Sequence, residues 1–161
     1  MNYSTRTGLS AMIKLVRIVC PPDLSADSER TIRYAVAIAG SSGAKFVVCF
    51  PPKSPSDKKK ALATIQRLIN AALTLPSGVS YDPSTVAWEA ALLEGSELGQ
   101  IITLEAEARH ADLIFMRSRR RPFAAALLGS TAETVSRLAP CPVLIMHADE
   151  REWLDDATGE I

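Results

Sequence analysis

The chain has 161 residues, of which 47% are hydrophobic and 22% charged, and its 18 basic and 18 acidic side chains cancel to a formal charge of zero. That length carries one domain with a proper core and is short for two, and the balance excludes a disordered chain and a basic nucleic-acid binder. No run of apolar residues is long enough to cross a bilayer, so no membrane partner is expected.

The first thirteen residues are polar and small without a sustained period and read as a loose leader; they lack the apolar core of a secretion signal, which predicts a cytoplasmic protein. Leu15–Cys20 is β-branched and mostly apolar, and Pro21 and Pro22 must end it, because proline gives a ladder no donor. After this first strand, Asp23-Leu-Ser25 connects to a helix with Ser25 as its expected N-cap and Ile32, Ala35, Val36 and Ala39 on its inner face. The helix closes near Gly40 to Gly43. Lys45–Phe50 is the second strand, stopped by Pro51 and Pro52. Beyond a basic stretch ending at Lys60, residues Ala61, Leu62, Ile65, Leu68, Ile69, Ala72 and Leu73 form the stripe of a second helix.

A turn-rich segment from Pro76 to Pro83 leads to a third strand, Thr85–Leu93, whose weaker patterning suits a sheet edge. Glu94-Gly-Ser96 opens a third helix with Leu98, Ile101, Ile102 and Ala108 inward. Asp112–Met116 reads as an interior strand, and Pro142–His147 as the fifth and last. Residues 149–161 form an acidic tail after a domain spanning 14–148. Strands alternating with helices predict a doubly wound, Rossmann-like α/β fold around a parallel sheet. Ligands of such sheets lie beyond the carboxyl ends of the strands where the strand order reverses, here the loops after strands 1 and 4.

Those loops carry the chemistry-bearing residues. After strand 4 come Arg117-Ser-Arg-Arg-Arg121, four guanidinium groups in five residues, and then Gly129-Ser-Thr-Ala-Glu133. The spacing of Ser130 and Glu133 predicts a capping box, and the amides at such a helix mouth suit an anion. Guanidinium groups bind phosphate bidentately, so the cluster reads either as an anion attractor or as a solvated loop covered by the acidic tail. Cys20, Cys49 and Cys141 are an odd number without metal-ligand spacing; reduced, buried thiols are expected, with a Cys20–Cys49 redox pair as the alternative. His110 and His147 fit no metal site, and neither a nucleophile elbow, a carboxylate pair nor an intact P-loop is present, so no enzyme is expected.

Pro22-Asp23-Leu24-Ser25 at the close of strand 1, Leu93-Glu-Gly-Ser96 at the third helix, and Gly129-Ser130, Ala132-Glu133 and Ala139-Pro-Cys-Pro-Val-Leu144 toward the end are together similar to the universal stress protein family, from Val16 to about His147. The resemblance implies an adenine nucleotide alpha hydrolase-like sheet of order 3-2-1-4-5 and a homodimer through strand 143–147. It also implies that Asp23 faces the ribose and adenine end, Phe50 flanks the base, and Gly129, Ser130 and Thr131 hold phosphate. Nucleotide-binding members carry a glycine, two residues, a glycine, nine residues, then glycine and Ser or Thr. Here Arg117 and Arg120 replace the loop glycines, Pro122 follows, and eight residues separate Arg120 from Gly129. The expectation is a regulatory stress-response domain acting by dimerisation and association with a protein partner, without a cofactor and with ATP binding weakened or lost. The alternative is a nucleotide or anion sensor, binding ATP or AMP weakly, in which Arg117, Arg119 and Arg120 replace the glycine cradle.

Overall fold

The computed structural model describes residues 14–25, 27–74, 82–118 and 129–147. The leader, the Pro76–Pro83 turn up to residue 81, Arg119, Arg120, Arg121 and Pro122, and the acidic tail lie outside the described residues. Five strands, β1 (Arg17–Cys20), β2 (Lys45–Phe50), β3 (Trp88–Leu92), β4 (Leu113–Ser118) and β5 (Val143–His147), form one parallel sheet in the order β3-β2-β1-β4-β5. Among the described residues four α-helices alternate with them: α1 (Ser28–Ser42), α2 (Pro55–Leu73), α3 (Leu98–Ala108) and α4 (Ser130–Leu138). The fold and strand order expected from the sequence are the ones present.

Because side chains alternate across a strand, each interior strand feeds two cores. Ile18, Cys20, Phe46, Val48, Phe50 and Phe115 face α1 and α2, whereas Val19, Val47, Cys49, Ile114 and Met116 face α3 and α4. The strand order reverses between β1 and β4. α1 follows β1 on one face and α4 follows β4 on the other, so the chain diverges there and leaves a crevice at the carboxyl ends.

Several local expectations shift. β1 starts at Arg17, and the chain before it is tied by Asp112, whose Oδ2 accepts from the Val16 amide at 2.8 Å and the Arg17 amide at 3.0 Å. α1 is capped at Asp27, not Ser25, and closes on Gly43 at φ +71°, a left-handed conformation that glycine adopts without a Cβ clash. α2 begins six residues before Ala61, because Ser54 accepts from the Asp57 amide, Asp57 accepts from Lys53, and Pro55 opens the first turn. Leu62 is exposed and Ala108 lies outside the core; Ala106 takes its place inside. β4 runs two residues past Met116, so Arg117 is a strand residue. The end of α3 is fixed by Arg109, which pairs with Glu105 and with Glu89 of β3, while Glu89 also accepts from Lys45 of β2. The hydrogen bond from Lys45 is the largest cause holding the Glu89 carboxyl below its ordinary range; burial opposes it, and Arg109 adds to the lowering. The pair's stabilisation is therefore present above that range and lost as pH falls through it.

The redox alternative does not survive the alternation of side chains: Cys20 points to the α1 and α2 core and Cys49 to the α3 and α4 core. Burial pushes the Cys20 thiol up and the Cys49 thiol up to about 12. The half-exposed Cys141 is raised as well, by burial and then by Asp112. Since the thiolate is the nucleophile, a raised value slows alkylation at neutral pH. Iodoacetamide on the folded protein is expected to modify Cys141 first and leave Cys20 and Cys49 unmodified, as read by peptide mass spectrometry; prompt loss of Cys20 would contradict the buried placement.

Candidate functional site

The crevice at the switch point is a cavity of about 320 Å³. Its walls come from four places: Pro21, Pro22 and Asp23 after β1, Cys49 and Pro51 at the end of β2, Leu98 and Ile102 of α3, and Met116 through Ser118 together with Gly129 to Ala132. Pro21, Pro22 and Pro51, which follow β1 and β2, therefore become apolar wall together with Leu98, Ile102 and Met116. The lining mixes apolar side chains with a few polar groups, a combination that suits a ligand with both an apolar and a polar part.

Asp23 anchors the loop after β1. Its Oδ1 accepts from the Ser25 amide at 3.0 Å, the Ser25 hydroxyl at 2.6 Å and the Ser28 hydroxyl at 2.8 Å. These bonds hold Leu24 at φ +57°, a left-handed conformation that costs a bulky residue about 1–2 kcal/mol. Ser25 thus serves the loop instead of capping α1.

On the opposite rim, Gly129 is the N-cap of α4 at φ −62°, ψ 157°, and Ser130 is the first helical residue. The expected capping box is not formed: the first helical bond runs from the Glu133 amide to the Gly129 carbonyl at 2.9 Å, with no side-chain cap. The Gly129 amide donates to the Ser118 hydroxyl at 3.1 Å, which ties the end of β4 to the start of α4. The amides of Ser130, Thr131 and Ala132 precede that first bond and so lack an intrahelical acceptor.

Arg117 completes the rim and brings an acid that the sequence does not mark. As the strand neighbour of Phe115 on alternating positions it emerges on the α1 side, and a guanidinium nitrogen (Nη1) meets Asp27 Oδ2 at 2.7 Å. The Arg117 side chain is only 16% exposed and that of Asp27 65%, so the cation is built into the wall and the acid sits outside it. Among the described residues the acid paired with Arg117 is Asp27; the acidic tail lies outside them.

Of the residues singled out in the sequence, Asp23, Arg117, Gly129, Ser130 and Thr131 converge on this cavity. Phe50 does not: it is 2% exposed within the α1 and α2 core, and Cys49 and Pro51 on either side of it reach the cavity instead. Arg119 and Arg120 lie outside the described residues. Asp27, Ser118 and Cys49 were missed. Alternation from Met116 would have placed Ser118 on the cavity side, but no local signal pairs Asp27 with Arg117.

A doubly wound parallel sheet with a cavity at its switch point, lined by a helix N-terminus, places the chain among the Rossmann-like α/β folds. The chain belongs to the universal stress protein family, whose sequence pattern matches residues 15–147. A universal stress protein in complex with cAMP is 22% identical, with a TM-score of 0.62 over 84% of this chain and 98% of that one. UspA of Lactobacillus plantarum is 17% identical, with a TM-score of 0.63 over 84% and 99%. The Archaeoglobus fulgidus universal stress protein in complex with dAMP is 23% identical, with a TM-score of 0.60 over 83% and 98%. These likenesses are of fold. No curated protein matches the sequence significantly.

Proposed function

We propose that this chain is a cytoplasmic regulatory domain of the universal stress protein type, acting by pairing with a second copy and associating with another protein, with ATP binding weakened or lost. The observation that carries the reading is the Arg117–Asp27 pair at the switch-point cavity. A loop that wraps a triphosphate uses backbone amides brought close by glycine. Here the position after Met116 is filled by a largely buried side chain already bonded to an acid. No cluster of metal-binding side chains occurs among the described residues. No described helix is long and apolar enough to cross a membrane.

Pairing is proposed through β5, which is the last strand of the sheet and leaves Val143, Leu144 and Ile145 partly uncovered. An exposed apolar edge recruits another strand, and two copies related by a two-fold axis cover each other. Sedimentation is expected to give twice the 17.4 kDa chain mass at micromolar concentration. Leu144→Lys, which places a charge on that edge, should shift the species to monomer; a monomer at all concentrations in the unmutated protein rejects the dimer.

A second reading, a sensor of a nucleotide or small anion, is favoured by the persistence of the cavity with its apolar wall and its α4 amides. The solved relatives in complex with cAMP and dAMP are consistent with it. Mass spectrometry of ligand released from freshly purified protein separates the two. The first predicts no ATP, and ATP at near-stoichiometric level rejects it.

A further inference from the structure

We propose that the flank of α1 carrying Arg30, Arg33 and Tyr34 is the docking surface of this chain's own acidic tail, residues 149–161, with Trp153 and Leu154 laid against Tyr34 and tail carboxylates against the two guanidinium groups. α1 is buried further round than its described neighbours explain. The stripe Ile32, Ala35 and Ala39 faces the sheet, as the 3.6-residue period requires. Right-handed crossovers set α2 beside α1 on the β2 side, the side to which Val36 turns. Thr31 and Tyr34 lie on the opposite flank, toward β4 and β5, and both are buried; Ala37, turned away from the sheet, is only 5% exposed. Met146 is buried in the same core although β5 is the last strand of the sheet. Among the described residues the elements packed chiefly on α1 are α2, β1, β2 and β4, which occupy its sheet face and one flank.

Position, charge and composition all select the tail as the occupant. It leaves β5 at the carboxyl end of the sheet, the end at which α1 begins. The stretch from Ala148 to Trp153 extends up to about 20 Å, and β5 is separated from β1 by about 10 Å, two strand spacings. The guanidinium carbons of Arg30 and Arg33 stand 5.6 and 5.9 Å from the centre of the Tyr34 ring, so the flank joins an aromatic face to two cations. The tail has the complementary pattern: Trp153 and Leu154 sit between Glu152 and the pair Asp155 and Asp156. The nearest acid on α1, Asp27, is engaged by Arg117. The leader, residues 1–13, contains no acidic side chain and joins the domain at the amino end of β1, so it matches the flank in neither charge nor position. Docked, the tail covers an apolar strip edged by two cations and keeps it from other acidic segments.

The test uses the full chain carrying Trp88→Phe, which leaves Trp153 as its single tryptophan. Its emission is expected to be blue-shifted and less quenched by acrylamide than that of a free peptide of residues 149–161, at every protein concentration. Reversing the flank with Arg30→Glu and Arg33→Glu should lower the ratio of docked to free tail about tenfold at low salt, with a smaller effect as salt is raised. Reversing the tail with Glu152→Lys, Asp155→Lys and Asp156→Lys, changes outside the folded core, should do the same. Both reversals in one chain should restore the shielding, since opposite charges then face each other again. Trp153 quenched as freely as in the peptide overturns the proposal. Shielding that grows with protein concentration assigns the flank to a second copy's tail and overturns it as well, and shielding untouched by either reversal places the tail elsewhere.

Discussion

Phe115→Ala is expected to destabilise the protein by about 3–5 kcal/mol, the usual cost of deleting a buried aromatic ring and leaving a partly collapsed cavity. Phe115 has no exposed surface and sits in β4, the strand whose amides bond to both β1 and β5, facing the core below α1 and α2. Its neighbours Leu113 and Met146 are themselves buried and held by the sheet, so the space has little means of closing. Chemical denaturation should show the midpoint falling while the slope is kept. A loss below about 1 kcal/mol would mean that the ring does not pack as placed.

Gly99→Ala is expected to cost about 1–2 kcal/mol and, unlike the core mutation, to act on the cavity. A Cβ at Gly99 would lie 2.6 Å from Thr134 Cβ and 2.8 Å from Thr134 Cγ2, with the Thr131 carbonyl at 3.3 Å. α3 and α4 touch through this glycine. Alanine gains about 0.5–1 kcal/mol of helix propensity over glycine, but a contact that short against an atom fixed to the α4 backbone forces the helices apart. The first turn of α4, which carries Ser130 and Thr131, must move with it. The discriminating measurement is a double-mutant cycle with Thr134→Gly: Gly99→Ala should be less harmful, or favourable, in that background. Equal cost in both backgrounds would place the strain elsewhere.

The sequence by itself determined the sheet, its helices and five of the residues that line the cavity. The proline pairs after Cys20 and Phe50 and the apolar periods of α1 and α2 are local properties, readable within a few positions of each residue. Once the strands were read as parallel, the carboxyl ends of β1 and β4 followed, and with them Asp23, Arg117 and Gly129 to Thr131 as neighbours. Local chemistry failed where two local solutions compete. Ser25 and Ser130 both have the composition of helix caps, but Asp23 engages Ser25, and α4 begins one residue earlier, on a Gly129 held by Ser118. Which face a strand residue takes separates Phe50 from Cys49, and that is set by the pairing register with β1 and β3. The partner of Arg117 was decided only by tertiary structure. Asp27 lies on another element far away in sequence and meets Arg117 because α1 and the end of β4 are brought together on one face of the sheet. An ion pair of that kind depends on three-dimensional approach, for which neither periodicity nor spacing carries a signal.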